Sequence, residues 1–467
     1  MDTVVITNAS TYVGRNLATH LLDEGYELRL LTSEPAAVQH LGTRGAEIQA
    51  TDQLDDGELR DLFDNVDGLF HIATTCRPDD DFANMLASYV DGTRRIIDAA
   101  IDADVSRIVY AGSDIAFGDT GRRVCDESKT HDGPFHSPYE RASWEAHRII
   151  EHHIDNGAPI IDTPVSTVYG TDRGQLVAAL IEHHLAHRAV AHVAADTGHS
   201  FLHVDDAVRG LRLAYEDGAT GERYLLSGTP TTIGNLLEQL STKTGIPAPR
   251  MELPDGLVDH LEKLLRRIGT LPAEERPDTE TSLLASRDIN RLFSNRKARE
   301  QLQWTPRPLD EGLDDILPWF QRREYEASRR LLESAKMPLV GLTLFDIGLG
   351  ISALVFPGLY RAIMHPRAGD TDRRQSSSLL ARTGLLWLFF AFVQGGASVD
   401  PVERPEWVMV TGALRLMDVP ADIGYLLSAD DLGWLGKAGL IAAPVFNLGI
   451  GTFLAYAGYR GLRAKNG

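Results

Sequence analysis

Lysine is scarce in this chain. It occurs seven times in 467 residues, so the basic complement is almost entirely arginine. With a formal charge of −20, such a surface reads as salt-adapted, and high genomic G+C would also favour arginine. Cysteine is nearly absent too: Cys76 and Cys125 fit a reducing cytoplasm and exclude a disulfide framework. The opening MDTVVITNAS lacks a basic stretch followed by an apolar core, so no signal peptide is expected. Positive charge is short where a polyanion would need it. Residues 1–336 hold 35 of the 46 basic and 56 of the 66 acidic residues, a net of −21, which excludes nucleic acid as a partner. Residues 337–467 hold 11 and 10, a net of +1. The length calls for two or three domains.

What is present alternates. TVVIT (3–7), ELRLLT (27–32), GLFHIAT (68–74) and RIVYAGS (107–113) are strand-like runs. Helical patterns lie between them at 13–24, in DGELRDLF and at 83–103. This order predicts βαβ units in a doubly wound α/β parallel sheet, with ligands beyond the carboxyl ends of its strands. From 115 to about 330 the pattern is irregular, as in a small substrate subdomain. Leu257, Leu261, Leu264, Leu265 and Ile268 make 257–268 an amphipathic helix, core-facing or a substrate lid.

The first strand and turn read VVITNASTYVGRNL, which resembles the T-G-x-x-G-x-x-G turn of extended short-chain dehydrogenase/reductases, the epimerase/dehydratase family. Thr7 fits, Asn8 and Thr11 stand for the first two glycines, and Gly14 is kept, with Tyr12 and Val13 between. Asparagine tolerates left-handed backbone, but a β-branched Thr11 would sit where phosphate approaches. Five further blocks follow in the family's order. They are ATDQLDDGELRDLFDNVDGLFHIAT, YVDGTRRIIDAA with Tyr89 replacing the usual Asn, RIVYAGSDIAFGD, TPVSTVYG with FLHVDDAVRG, and LQWTPRPLDEGL. The resemblance covers residues 3–325. It implies an NAD or NADP cofactor, Asp52 as the adenine-contacting acid, Ala73 beside the cofactor and Ser113 as the catalytic serine. At Thr32, where family members place a cofactor-selecting acid or arginine, neither stands, so NAD and NADP both remain open.

The family's Tyr-x-x-x-Lys reads Tyr139-Glu-Arg-Ala-Ser143 here. A phenol titrates near ~10, and a cation ~4–6 Å away lowers it by ~1–3 units. Ser143 supplies no such field. Arg141 faces away on the helix, His147 lies about 12 Å along the axis at ~1.5 Å per residue, and His136 precedes the helix. His183, His184 and His187 fall at helical spacing but find no third ligand, so no metal is expected.

After a charged stretch that reads as a solvated connecting helix (322–336) and ends in a linker (331–337), residues 338–357, 379–398, 406–427 and 434–459 are four apolar stretches near the ~20 residues that cross a bilayer. Asp346, Arg382, Arg415, Asp418, Asp422 and Lys437 interrupt them. Asp346 with Arg415, or Asp418 with Arg382, are candidate pairs. A soluble helical bundle is the alternative. The basic residues Arg361, Arg367, Arg373 and Arg374 in the first loop run against a simple positive-inside topology.

The expected protein is therefore a nucleotide-binding domain (1–330) joined to a helical membrane domain (338–467). It would sit at the cell membrane with the N-terminal domain cytoplasmic. Its expected partners are a dinucleotide and membrane lipid, with a homodimer left open. Redox activity is expected to be weakened or lost. The alternatives are an active reductase or epimerase on a lipid-soluble or sugar-nucleotide substrate, and a non-catalytic scaffold.

Overall fold

A computed structural model of the chain describes residues 2–51, 54–73, 86–172, 175–186, 191–192, 194–248, 251–252, 289–364, 373–428 and 432–466. Asp52, Cys76, His187 and the segment 257–268 lie outside them. The chain divides into two compact units, Met1–Phe320 and Gln321–Gly467.

The first unit is built on six strands: β1 (Thr3–Thr7), β2 (Glu27–Thr32), β3 (Glu47–Ala50), β4 (Gly68–Ile72), β5 (Arg107–Ala111) and β6 (Ile160–Asp162). They lie in the order β3-β2-β1-β4-β5-β6, all parallel. Every residue of β4 is buried, as helices on both faces of a parallel sheet require. Helix α1 (Tyr12–Asp23) lays Leu17, Ala18 and Leu21 on the sheet. The helix Asp56–Leu62 starts with a capping box: Glu58 N–H donates to Asp55 Oδ1 at 2.9 Å, and Asp55 N–H to Glu58 Oε2 at 2.9 Å. Strand order reverses between β1 and β4, which opens a crevice at their carboxyl ends. A smaller sheet of Thr167–Tyr169, Gly198–His203 and Thr229–Thr232 carries the opposite wall.

The second unit is helical. The helix Leu309–Val355 runs through 331–337, and the division into units falls after Phe320. Arg373–Val399, Pro405–Ser428 and Trp434–Asn466 follow. Among the described residues, three helices are long and apolar enough to cross a membrane: Leu309–Val355, Leu380–Val399 and Trp434–Lys465. Pro405–Ser428 is not among them. Arg415, Asp418 and Asp422 fall on it within two turns, and Glu406 adds a fourth charge.

The packing of this unit is partly inverted around a small apolar core that includes Leu332, Leu339, Val408 and Leu454. Leu386, Phe389 and Phe392 are more than half exposed, while Asp346, Gln394, Thr411 and Arg415 are buried. Arg415 pairs with Asp346 and lies 3.7 Å from Asp418, and Gln394 Nε2 donates to Asp346 Oδ2 at 2.9 Å. Of the two expected pairs, Asp346–Arg415 forms. Asp418 instead turns to Arg415 three residues away, and Arg382 is exposed. At Gly412 an added Cβ would lie 2.2 Å from Ala455 N, so only glycine admits the close approach of these two helices.

Candidate active site

The turn after β1 brings backbone close to the crevice. Asn8 adopts φ 51°, the left-handed conformation expected of the first glycine position, and its Nδ2 donates to Ile72 O at 2.7 Å. Thr11 is the N-cap of α1. Its hydroxyl donates to Asn8 O at 2.8 Å and accepts from Gly14 N–H at 3.1 Å, so the side chain turns inward. A Cβ on Gly14 would lie 2.5 Å from Asn8 O, which is why glycine is kept there. The first-turn N–H groups of Tyr12 and Val13 have no acceptor within the helix, and both residues line the cleft. Such a helix start fits a dinucleotide pyrophosphate, with Thr11 already holding one of its donors.

The other residues singled out from the sequence divide into two groups. Ala73, Ser113 and Tyr139 line the same cleft as Thr11, Tyr12 and Val13. Burial raises the Tyr12 hydroxyl to about 12, and an added Cβ on Gly170 would fall onto that hydroxyl. Thr7 is buried, with its Oγ1 2.8 Å from His71 Nδ1. Thr32 is buried at the end of β2 and accepts from Glu34 N–H at 3.1 Å. Neither of these two lines the cleft. His184 packs with Nε2 2.9 Å from Thr244 Oγ1, and among the described residues no group of three or more His, Cys, Asp or Glu could hold a metal.

Ser113 caps a 3-10 turn (Asp114–Phe117), its Oγ accepting from Ile115 N–H at 3.3 Å. Tyr139 and Ser143 share the helix Pro138–Asp155, one turn apart on one face, and both are buried. The Tyr139 hydroxyl accepts from the Tyr89 hydroxyl at 2.8 Å, with the two rings edge to face at 5.3 Å. Ser143 Oγ is buried without a partner. Of the three nearby cationic candidates, the side chains of Arg141 and His147 are engaged elsewhere. Arg141 donates to Glu145 at 2.8 Å, His147 Nε2 lies 2.7 Å from Arg223 Nη2, and His136 is held ahead of the helix by its backbone N–H, which donates to Glu140 Oε2 at 2.6 Å.

Sequence reasoning marked Tyr89 as a replacement but missed its contact with Tyr139, which joins positions 50 apart. It also missed a polar row in the cleft: Asp114, Thr167, His199 and Arg291. Burial lifts the Asp114 carboxyl to about 7, with Arg291 opposing, and holds the His199 imidazole down at about 3. The one sequence signal for this row was an acid standing next to Ser113.

Comparisons with known proteins agree with this geometry. Residues 4–227 match the model of the NAD dependent epimerase/dehydratase family. A putative dihydroflavonol 4-reductase of Synechocystis is 27% identical, over 69% of this chain and 96% of its own length. Sterol demethylase protein B of Methylococcus capsulatus is 27% identical, over 69% of this chain and 99% of its own. The structure of MoeE5 in complex with UDP-glucuronic acid and NAD superimposes with a TM-score of 0.52 over 69% of this chain and 99% of that one. At 22% identity, that likeness shows the fold alone. Over residues 4–227 the chain is therefore similar to the NAD dependent epimerase/dehydratase family, whose cofactor is NAD or NADP.

Proposed function

We propose that this is a membrane-tethered NAD(P)-binding protein whose redox turnover at an alcohol or carbonyl is attenuated. The observation that carries the reading is the Tyr139 hydroxyl, 2.8 Å from a neutral Tyr89 hydroxyl, with an unpartnered serine where the family's lysine would stand. When bound, the nicotinamide would supply the oxidation or reduction. Tyr139, with Ser113 beside it in the cleft, would hold or release the proton at the substrate oxygen. A single neutral hydrogen bond favours the phenolate far less than a cation does. Proton transfer near neutral pH would then be slow but not abolished. The test is absorbance of reduced cofactor across a panel of carbonyls, sterols and sugar nucleotides. Turnover well below ~1 per second, lost in Tyr139→Phe, fits the proposal. Turnover of ~10 per second or more refutes attenuation.

A second reading is an active reductase on a lipid-soluble substrate. It is favoured by the shared cleft of Ser113, Tyr139 and the phosphate turn, and by the likeness to a protein named for sterol demethylation. Membrane insertion of the second unit belongs to both readings. Its support is the partly inverted packing, with apolar side chains outside and the Asp346–Arg415 pair inside.

A further inference from the structure

A buried charge without a partner is costly, so a fold that keeps one calls for an explanation, and a ligand that pairs with it is one. Arg291 is such a charge. It is 8% exposed and lines the cleft, and among the described residues its guanidinium makes no ion pair and its Nε is buried without a hydrogen bond. Two neighbours share this condition. Asp114, 4% exposed, has an unpartnered Oδ2. His199, 2% exposed, has Nδ1 3.1 Å from Thr167 Oγ1 and an unpartnered Nε2. These are not positions of chance. Arg291 N–H donates to Gly198 O at 2.8 Å and pairs in register with His199, while Asp114 N–H donates to Val165 O at 3.2 Å, which fixes it on the facing wall.

We propose that Arg291, His199 and Asp114 form the substrate-anchoring site of this cleft and take a carboxylate carried by the substrate. This deepens the proposed function by naming its substrate class, and it rests on that reading. The donors match the ligand. Arg291 Nε–H and, with the Thr167 hydroxyl donating to Nδ1, His199 Nε2–H can each reach one carboxylate oxygen. Asp114 completes the set as an acid that shares its proton with the incoming anion, consistent with its lifted titration. An inorganic phosphate would bring up to two charges against Asp114 and is the poorer fit. A neutral hydroxyl group would leave Arg291 uncompensated.

The test is calorimetry on full-length protein in detergent, with and without NAD, using 3-hydroxybutyrate, 3-hydroxybutyramide and inorganic phosphate as probes. The acid should bind at least ten times more tightly than the amide. Arg291→Met should erase that preference and leave the heat of NAD binding unchanged. If Arg291→Met does not fold, Arg291→Gln carries the same expectation. Equal binding of acid and amide, tighter binding of phosphate than of the acid, or a preference that survives either substitution overturns the proposal. Absence of NAD heat with the acid preference intact defeats the proposed function and leaves this site standing.

Discussion

Ser143→Lys should raise nicotinamide turnover, and more so together with Tyr89→Asn. Ser143 and Tyr139 lie one turn apart on one helix face, so a lysine there starts beside the phenol. A cation ~4–6 Å from a phenol lowers its pKa by ~1–3 units, which raises the phenolate fraction near neutral pH about 10- to 1000-fold. That is worth ~1.4–4 kcal/mol. The opposing effect is steric. Ser143 is 3% exposed and next to the apolar cluster of Tyr89, Ile115, Tyr139, Ala142 and Ala146. Overfilling such a site costs ~1–3 kcal/mol of stability. Tyr89 also occupies the Tyr139 hydroxyl, so shortening it to asparagine frees both the space and the oxygen. The single variant is expected to be less stable and modestly faster, and the double variant at least tenfold faster than wild type. Tyr89→Asn alone should be slower than wild type, because Tyr139 loses its donor. The assay is reduced-cofactor absorbance beside a thermal melt and a cofactor titration. A double variant that folds, binds cofactor as wild type does and gains no turnover would falsify the electrostatic account of Tyr139.

Thr11→Gly should tighten cofactor binding in calorimetry while lowering stability by only a few tenths of a kcal/mol (about 0.3), because it releases the Gly14 N–H that Thr11 now holds; looser binding would place the phosphate elsewhere. The Asp114 carboxyl sits at about 7 in the folded chain, above its unfolded value, so the native state keeps a proton that the unfolded chain has lost. Stability therefore falls as pH rises from about 4 to about 7, by ~1.4 kcal/mol per unit at most, and Asp114→Asn should melt progressively higher than wild type over that window; parallel melting curves would refute this. His71 and His199 act in the opposite sense, held down to about 4 and about 3, so each removes about 3 kcal/mol as pH falls from ~6.5 to ~4. His199→Phe should flatten acid denaturation, and an unchanged acid midpoint would count against neutral burial. In fractionation, full-length protein should stay in the pellet through an alkaline carbonate wash, and a chain ending at Phe320 should be released; a full-length chain that washes off and remains monodisperse without detergent would overturn the membrane reading.

The sequence by itself determined what depends on neighbours along the chain. Alternating strand and helix patterns are local, and parallel βαβ units have few ways to assemble, so a doubly wound parallel sheet followed from four strand-like runs, while β3, β6 and the strand order emerged only in the fold. The left-handed Asn8, the kept Gly14 and the Tyr139–Ser143 spacing are likewise local, fixed within one turn or one helix. The long apolar helices were legible as runs of composition, though the charges of Pro405–Ser428 set it apart from the other three. Tertiary structure alone decided which distant groups meet. Tyr89 reaches Tyr139, Asp346 takes Arg415 with Gln394 beside it, and Asp114, His199 and Arg291 converge on one cleft from three separate segments. No periodicity encodes such meetings. They follow from how sheet, subdomain and helices pack, and packing also strips away the water that would otherwise pair these polar atoms.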